Sequence, residues 1–150
     1  MSKNITIDLI KSEWNKDFKI DEINLDKELA NLPYKFTKYL NFYSDVGMIE
    51  KGFDIKLKKE IKKKWMYYSG KMDQKELKLH NLNPFNHKIL KQDIEKFLNS
   101  DDEINRLSAI ISSYKIMKKH LEEIMRILNN RGYHIKSMID WRKFTNGSDF

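Results

Sequence analysis

Seven lysines fall between Lys56 and Lys71, at Lys56, Lys58, Lys59, Lys62, Lys63, Lys64 and Lys71, with Glu60 the one acid among them. Three rings follow the densest part of the run: Trp65, Tyr67 and Tyr68. Ammonium groups bind a polyphosphate by charge, and flat rings offer faces to unpaired bases, so the combination meets the needs of single-strand nucleic-acid binding. The candidate contacts are Lys58, Lys59, Lys62, Lys63, Lys64, Tyr67 and Lys71. A lysine run by itself is more often a solvated helix face whose rings belong to the core. Leu57, Ile61, Trp65 and Tyr68 recur in steps of three and four and so share one stripe, which places some of these rings in the core. Tyr67 lies off that stripe and is the better candidate for a base contact.

The charge of the whole chain supports a polyanionic partner. Of a net +7, residues 1–55 contribute −2, with 8 basic and 10 acidic side chains. Residues 56–71 contribute +6, with 7 basic and 1 acidic, and residues 72–150 contribute +3, with 14 and 11. A patch that concentrated points to nucleic acid, an anionic membrane or an acidic protein.

Constellations for catalysis or for a cofactor are missing. The chain has no cysteine, which excludes disulfides, cysteine zinc sites and thiol chemistry. His80, His87, His120 and His134 are scattered, and His120-Leu-Glu-Glu lacks a second histidine four residues on. No phosphate-binding loop, dinucleotide fingerprint or nucleophile elbow is present. Asp101, Asp102 and Glu103 are explained by helix capping, without a metal. The expectation is a binding module with no cofactor and no metal. Two rivals are a helical scaffold whose basic patch docks an acidic protein, and a nuclease whose site assembles at subunit interfaces from Asp93, Asp101 or Asp102.

The periodicity calls for an all-α fold of long amphipathic helices forming a bundle. One hundred and fifty residues suit a single domain spanning 1–150. Ile5, Leu9, Ile10, Trp14 and Phe18 mark a short helix over about 6–18, followed by a connector. Pro33 suits the first turn of a long helix that runs to Ser69-Gly70, where Gly70 ends it in the left-handed conformation. Residues 71–87 read as a loop, and Ile89 to Leu98 as a short helix. Ser100, as N-cap with Glu103 three residues later, starts a heptad helix reaching Asn130. Arg131-Gly132 interrupts it, and a last helix over about 134–145 closes the chain.

On the heptad helix Leu107, Tyr114, Leu121 and Leu128 form one column and Ile110, Met117 and Ile124 a second. Ile111, with Ile104 and Met125, adds a third, which means more than one neighbour, within a bundle or across subunits. Leu107, Ile110, Ile111, Tyr114, Met117, Leu121, Ile124 and Leu128 are therefore candidates for homo-oligomer assembly. The N-terminus lacks a signal-peptide core, because Asp8, Lys11 and Glu13 interrupt it, and no apolar run has membrane-spanning length. A soluble, cytosolic protein without membrane contact is expected.

Two segments, Lys62 to Lys71 and Asn130 to Phe144, resemble the UvsY family of T4-type phages. Lys62-Lys63-Lys64-Trp65-Met66-Tyr67-Tyr68-Ser69-Gly70-Lys71 is similar to its basic motif and the Tyr-Tyr-Ser-Gly that follows. Asn130-Arg131-Gly132-Tyr133-His134-Ile135-Lys136, continued by Ile139-Asp140-Trp141-Arg142-Lys143-Phe144, is similar to its C-terminal signature. With the two in order, the resemblance covers about residues 20–147, an N-terminal part to about 70 carrying the DNA-binding segment and a C-terminal part over about 88–147. It implies a recombination mediator without enzymatic activity, acting in the cytoplasm of the infected host in homologous recombination and repair. It implies single-stranded DNA, the phage RecA-like recombinase UvsX and the phage single-strand DNA-binding protein as partners. It also implies a homo-oligomeric ring of six or seven subunits joined by the C-terminal helices. The family's basic pair falls on Lys62 and Lys64; the best-known member has arginine at the second place, and lysine there keeps the charge but loses the bidentate fork. Lys71 to Leu79 departs from the acidic, glycine-containing segment expected at that place.

Overall fold

A computed structural model describes residues 4–147, and among them the regular structure is helical throughout. Five α-helices follow in order: α1 (Ile7–Asp17), α2 (Leu25–Tyr68), α3 (Gln74–Leu79), α4 (Ile94–Asn99) and α5 (Asp102–Thr145). A 3-10 turn, Lys91–Asp93, leads into α4. The chain forms two compact units, Met1–Met48 with Tyr114–Phe150, and Ile49–Ser113. Each draws on a stretch of both α2 and α5.

Local chemistry sets where each helix begins and ends. The Thr6 hydroxyl accepts the Leu9 N–H at 3.1 Å and caps α1. The Asp21 carboxylate accepts the Ile23 N–H at 3.0 Å and the Asn24 side-chain amide at 2.8 Å, turning the chain into α2. This turn starts α2 at Leu25, so Pro33 lies inside the helix rather than in its first turn. The end of α2 is as expected: Gly70 has φ 72°, its N–H donates to the Tyr67 carbonyl at 3.2 Å, and the Lys71 N–H donates to the Met66 carbonyl at 2.9 Å.

The segment expected to be a loop contains α3. Asp73 and Glu76 form a reciprocal capping box at its start, and Asn81, with φ 52°, closes it. Ser100 is not the cap of α5. Its hydroxyl donates to the Lys96 carbonyl at 2.9 Å, while the Asp101 carboxylate accepts the Glu103 and Ile104 N–H groups, each at 3.1 Å.

α5 is one helix of 44 residues that passes through Arg131-Gly132 without a break. Arg131 is buried, and its guanidinium donates to the Asp17 carbonyl at 2.7 Å and the Phe18 carbonyl at 2.6 Å. Those carbonyls lie at the C-terminal end of α1, where a helix leaves acceptors unpaired. Gly132 faces Leu32; a Cβ there would lie 3.4 Å from Leu32 Cδ2, at the near limit of ordinary contact.

In the first unit Ile10, Tyr39, Val46, Leu121, Ile124 and Leu128 form the centre of the core, with Trp14 and Phe36 packed against it. Tyr39 is fully buried, and its hydroxyl donates to Asp17 at 2.7 Å. The Lys38 ammonium joins the same carboxylate at 2.9 Å and also pairs with Glu13. In the second unit Ile94, Ile104, Leu107 and Ile111 are buried.

The apolar columns of α5 are thus largely covered inside one chain. Leu107, Ile111, Met117, Leu121, Ile124 and Leu128 are buried, and Ile110 and Tyr114 are half-buried. The large apolar side chains left open on this helix are Ile116, Ile127, Tyr133, Trp141 and Phe144.

Candidate nucleic-acid interface

On a helix of 3.6 residues per turn, positions i, i+4 and i+7 share a face. Lys58, Lys62 and Trp65 stand in that relation near the end of α2, and Lys51 and Ile55 continue the line toward the N-terminus. All five are exposed, Trp65 by 40% and Ile55 by 46%. Lys59 lies beside them, also exposed. Lys59 and Lys62 make no ion pair among the described residues. Lys58 meets Asp54 at 3.0 Å with its side chain 69% exposed. A solvent-exposed pair of that kind holds its charge only weakly. Lys71, just beyond the glycine turn, sets its ammonium 4.5 Å from the centre of the Trp65 ring.

Two of the expected DNA lysines turn away from this face. Lys63 pairs with Glu60 at 2.9 Å, and both are mostly covered. The one acid of the segment is therefore tucked in. Lys64 is 14% exposed at the side chain, and its ammonium lies 3.0 Å from Asp101. The Tyr68 hydroxyl donates to the same carboxylate oxygen at 2.7 Å. Burial alone would push the Asp101 carboxyl up; the Tyr68 hydroxyl, the Ile104 N–H and the Lys64 ammonium outweigh it and hold it below the usual carboxylate range. Burial, then the bond to Asp101, pushes the Tyr68 phenol well above its ordinary value.

The rings are arranged differently from the expectation. Tyr67 is half-buried, donates its hydroxyl to the Asn83 carbonyl at 2.7 Å, and lies 5.5 Å from the Phe85 ring. Phe85 also meets Tyr68 at 5.2 Å and Phe97 at 5.8 Å. Residues 82–97 thus return over the tyrosines and leave Trp65 as the open ring. Helical spacing shows which residues share a face but not which face a later segment will cover. The missing signal was Pro84-Phe85, an aromatic set in an otherwise polar stretch.

Two acids of the nuclease alternative, Asp93 and Asp101, are used locally. Asp101 caps α5, and Asp93 pairs with Lys96 at 3.0 Å. Among the described residues no group of three or more histidines or acids is placed to hold a metal ion. No helix among them is long and apolar enough to cross a membrane.

Comparison with known proteins places the chain in a family. Residues 13–148 match the family model described as "Recombination, repair and ssDNA binding protein UvsY". The chain is 24% identical over 138 residues to the recombination protein UvsY of Enterobacteria phage T4, covering 92% of this chain and 96% of that one. Its fold is similar to crystal structures of the T4 recombination mediator protein UvsY. Lattice type II gives a TM-score of 0.83 at 23% identity, covering 96% of this chain and 100% of that one. Lattice type I gives 0.79 at 24%, covering 90% and 97%. Sequence signature, chain length and helical fold agree, and this chain belongs to the UvsY family of recombination, repair and single-stranded DNA-binding proteins.

Proposed function

We propose that this protein is a recombination mediator that binds single-stranded DNA through the face formed by Lys58, Lys59, Lys62, Trp65 and Lys71. It acts as a homo-oligomer, a ring of six or seven subunits, and helps the RecA-like recombinase UvsX displace the single-strand DNA-binding protein. One observation carries the reading: lysines without buried partners and an open tryptophan occupy one side of α2. Lysines supply phosphate contacts without sequence information, and an indole stacks on any base, so binding follows strandedness rather than sequence. One modest patch per subunit suffices because linked sites on a ring raise the effective concentration for the next contact.

The test is anisotropy of labelled oligonucleotides with the full chain. Tighter binding to a homopolymeric single strand than to a duplex of equal length supports the reading, and the reverse order contradicts it. Recombinase loading is followed as filament formation on a strand already coated with single-strand binding protein. Acceleration by this protein is expected, and no acceleration contradicts the mediator role.

A further inference from the structure

Lys62 and Lys64 are two positions apart, roughly 200° around the helix axis, so they cannot serve one straight strand from one face. Lys62 is exposed, whereas Lys64 reaches Asp101 at 3.0 Å. Every acceptor of Asp101 is engaged: Oδ2 takes Lys64 and Tyr68, and Oδ1 takes the N–H groups of Glu103 and Ile104. The Asp101 side chain is 3% exposed. Withdrawing Lys64 toward a phosphate would leave a buried carboxylate without its counter-charge, which is unfavourable even with its other donors in place.

We propose that Lys64 is a positioning residue rather than a phosphate ligand: with Tyr68 it latches the last turns of α2 to Asp101, the cap of α5, and so holds Lys62, Trp65 and Lys71 in binding geometry. The latch rests on the reading of that face as the single-strand site. Helix ends fray unless tied down, and Trp65 is the residue after Lys64. Lys71, whose ammonium lies 4.5 Å from the centre of the Trp65 ring, follows the turn that ends the helix. The latch is the tie on the opposite side.

Affinity for a homopolymeric single strand, measured over a salt series with the full chain, tests this. Lys62→Ala should flatten the slope of log K against log salt by about 0.7, the loss of one phosphate contact. Lys64→Met should weaken binding severalfold at every salt with the parent's slope, because no counterion-releasing contact is lost, and Lys64→Arg should restore it. Asp101→Asn keeps a capping side chain and removes a negative charge near a polyanion site. Charge alone would tighten binding; the latch makes it weaker. Tyr68→Phe, which removes one hydroxyl, should weaken binding in the same sense with helical content unchanged. If Lys62→Ala behaves as expected and Asp101→Asn and Tyr68→Phe bind at least as tightly as the parent, or Lys64→Met flattens the slope, the latch alone is overturned. If Lys62→Ala keeps the parent's slope and affinity, the site reading fails, and the latch with it.

Discussion

Arg131 reaches back from α5 to the end of α1 and donates to the Phe18 carbonyl at 2.6 Å. A second guanidinium nitrogen takes the Asp17 carbonyl at 2.7 Å, and the group lies 5.4 Å from the Trp14 ring centre. A planar fork can hold two adjacent carbonyls and stack at once, which a lysine cannot. Arg131→Met should remove two charge-assisted hydrogen bonds to partly covered carbonyls and cost roughly 2 kcal/mol. Arg131→Lys should recover only part. Chemical denaturation of the variants checks this; a Met variant as stable as the parent would show that α1 is held by its apolar contacts and its bonds to Lys38 and Tyr39 without Arg131.

The acid response of the first unit follows from Glu13 and Asp17. The bond from Lys16, then that from Lys38, lowers the Glu13 carboxyl from 4.5 to about 2. Burial opposes ionisation of Asp17, but Lys38 and Tyr39 outweigh it and lower that carboxyl too. Both groups are more acidic folded than unfolded, so their stabilisation is complete above the unfolded values and is lost as pH falls through the folded ones. The thermal midpoint should drop between roughly pH 5 and pH 2, and Glu13→Gln should drop less over that window. Parallel curves for parent and variant would rule out Glu13 as a source of the acid sensitivity.

Assembly through the C-terminal helix is best tested outside the heptad columns. Leu121 and Leu128 are fully covered within one chain, so polar substitutions there should unfold the first unit, masking any effect on association. Trp141 is 66% exposed and Phe144 74%. Light scattering of Trp141→Ser/Phe144→Ser should report smaller particles with unchanged helical content. Particles of parental mass would place the subunit contact elsewhere.

Much of the fold was legible because it is written in short-range chemistry. The Thr6 start, the Gly70 stop and the apolar period of α5 each depend on residues within a turn or two. The early start of α2 was hidden because Pro33 suits a first turn better than an interior, and the Asp21–Asn24 turn is polar and brief. Arg131-Gly132 read as a break because its reasons are distant: the α1 carbonyls for Arg131 and Leu32 for Gly132. For the same reason the lysine segment was found but not its sides. Lys62 and Lys64 are equivalent in sequence, and only the contact with Asp101, far along the chain, separates their surroundings.

The most direct test of the α2 face is a salt titration of single-strand affinity for Lys62→Ala and Trp65→Ala, with Lys119→Ala on α5 as control. Lys62→Ala should bind more weakly, with a slope lower by about 0.7. Trp65→Ala should lose about 1–3 kcal/mol with the slope retained, because a stacked base releases no counterion. Lys119→Ala should match the parent. If the Lys62 and Trp65 variants keep the parent's affinity and slope while Lys119→Ala changes both, DNA runs over another surface and the lysines of α2 are an ordinary solvated face.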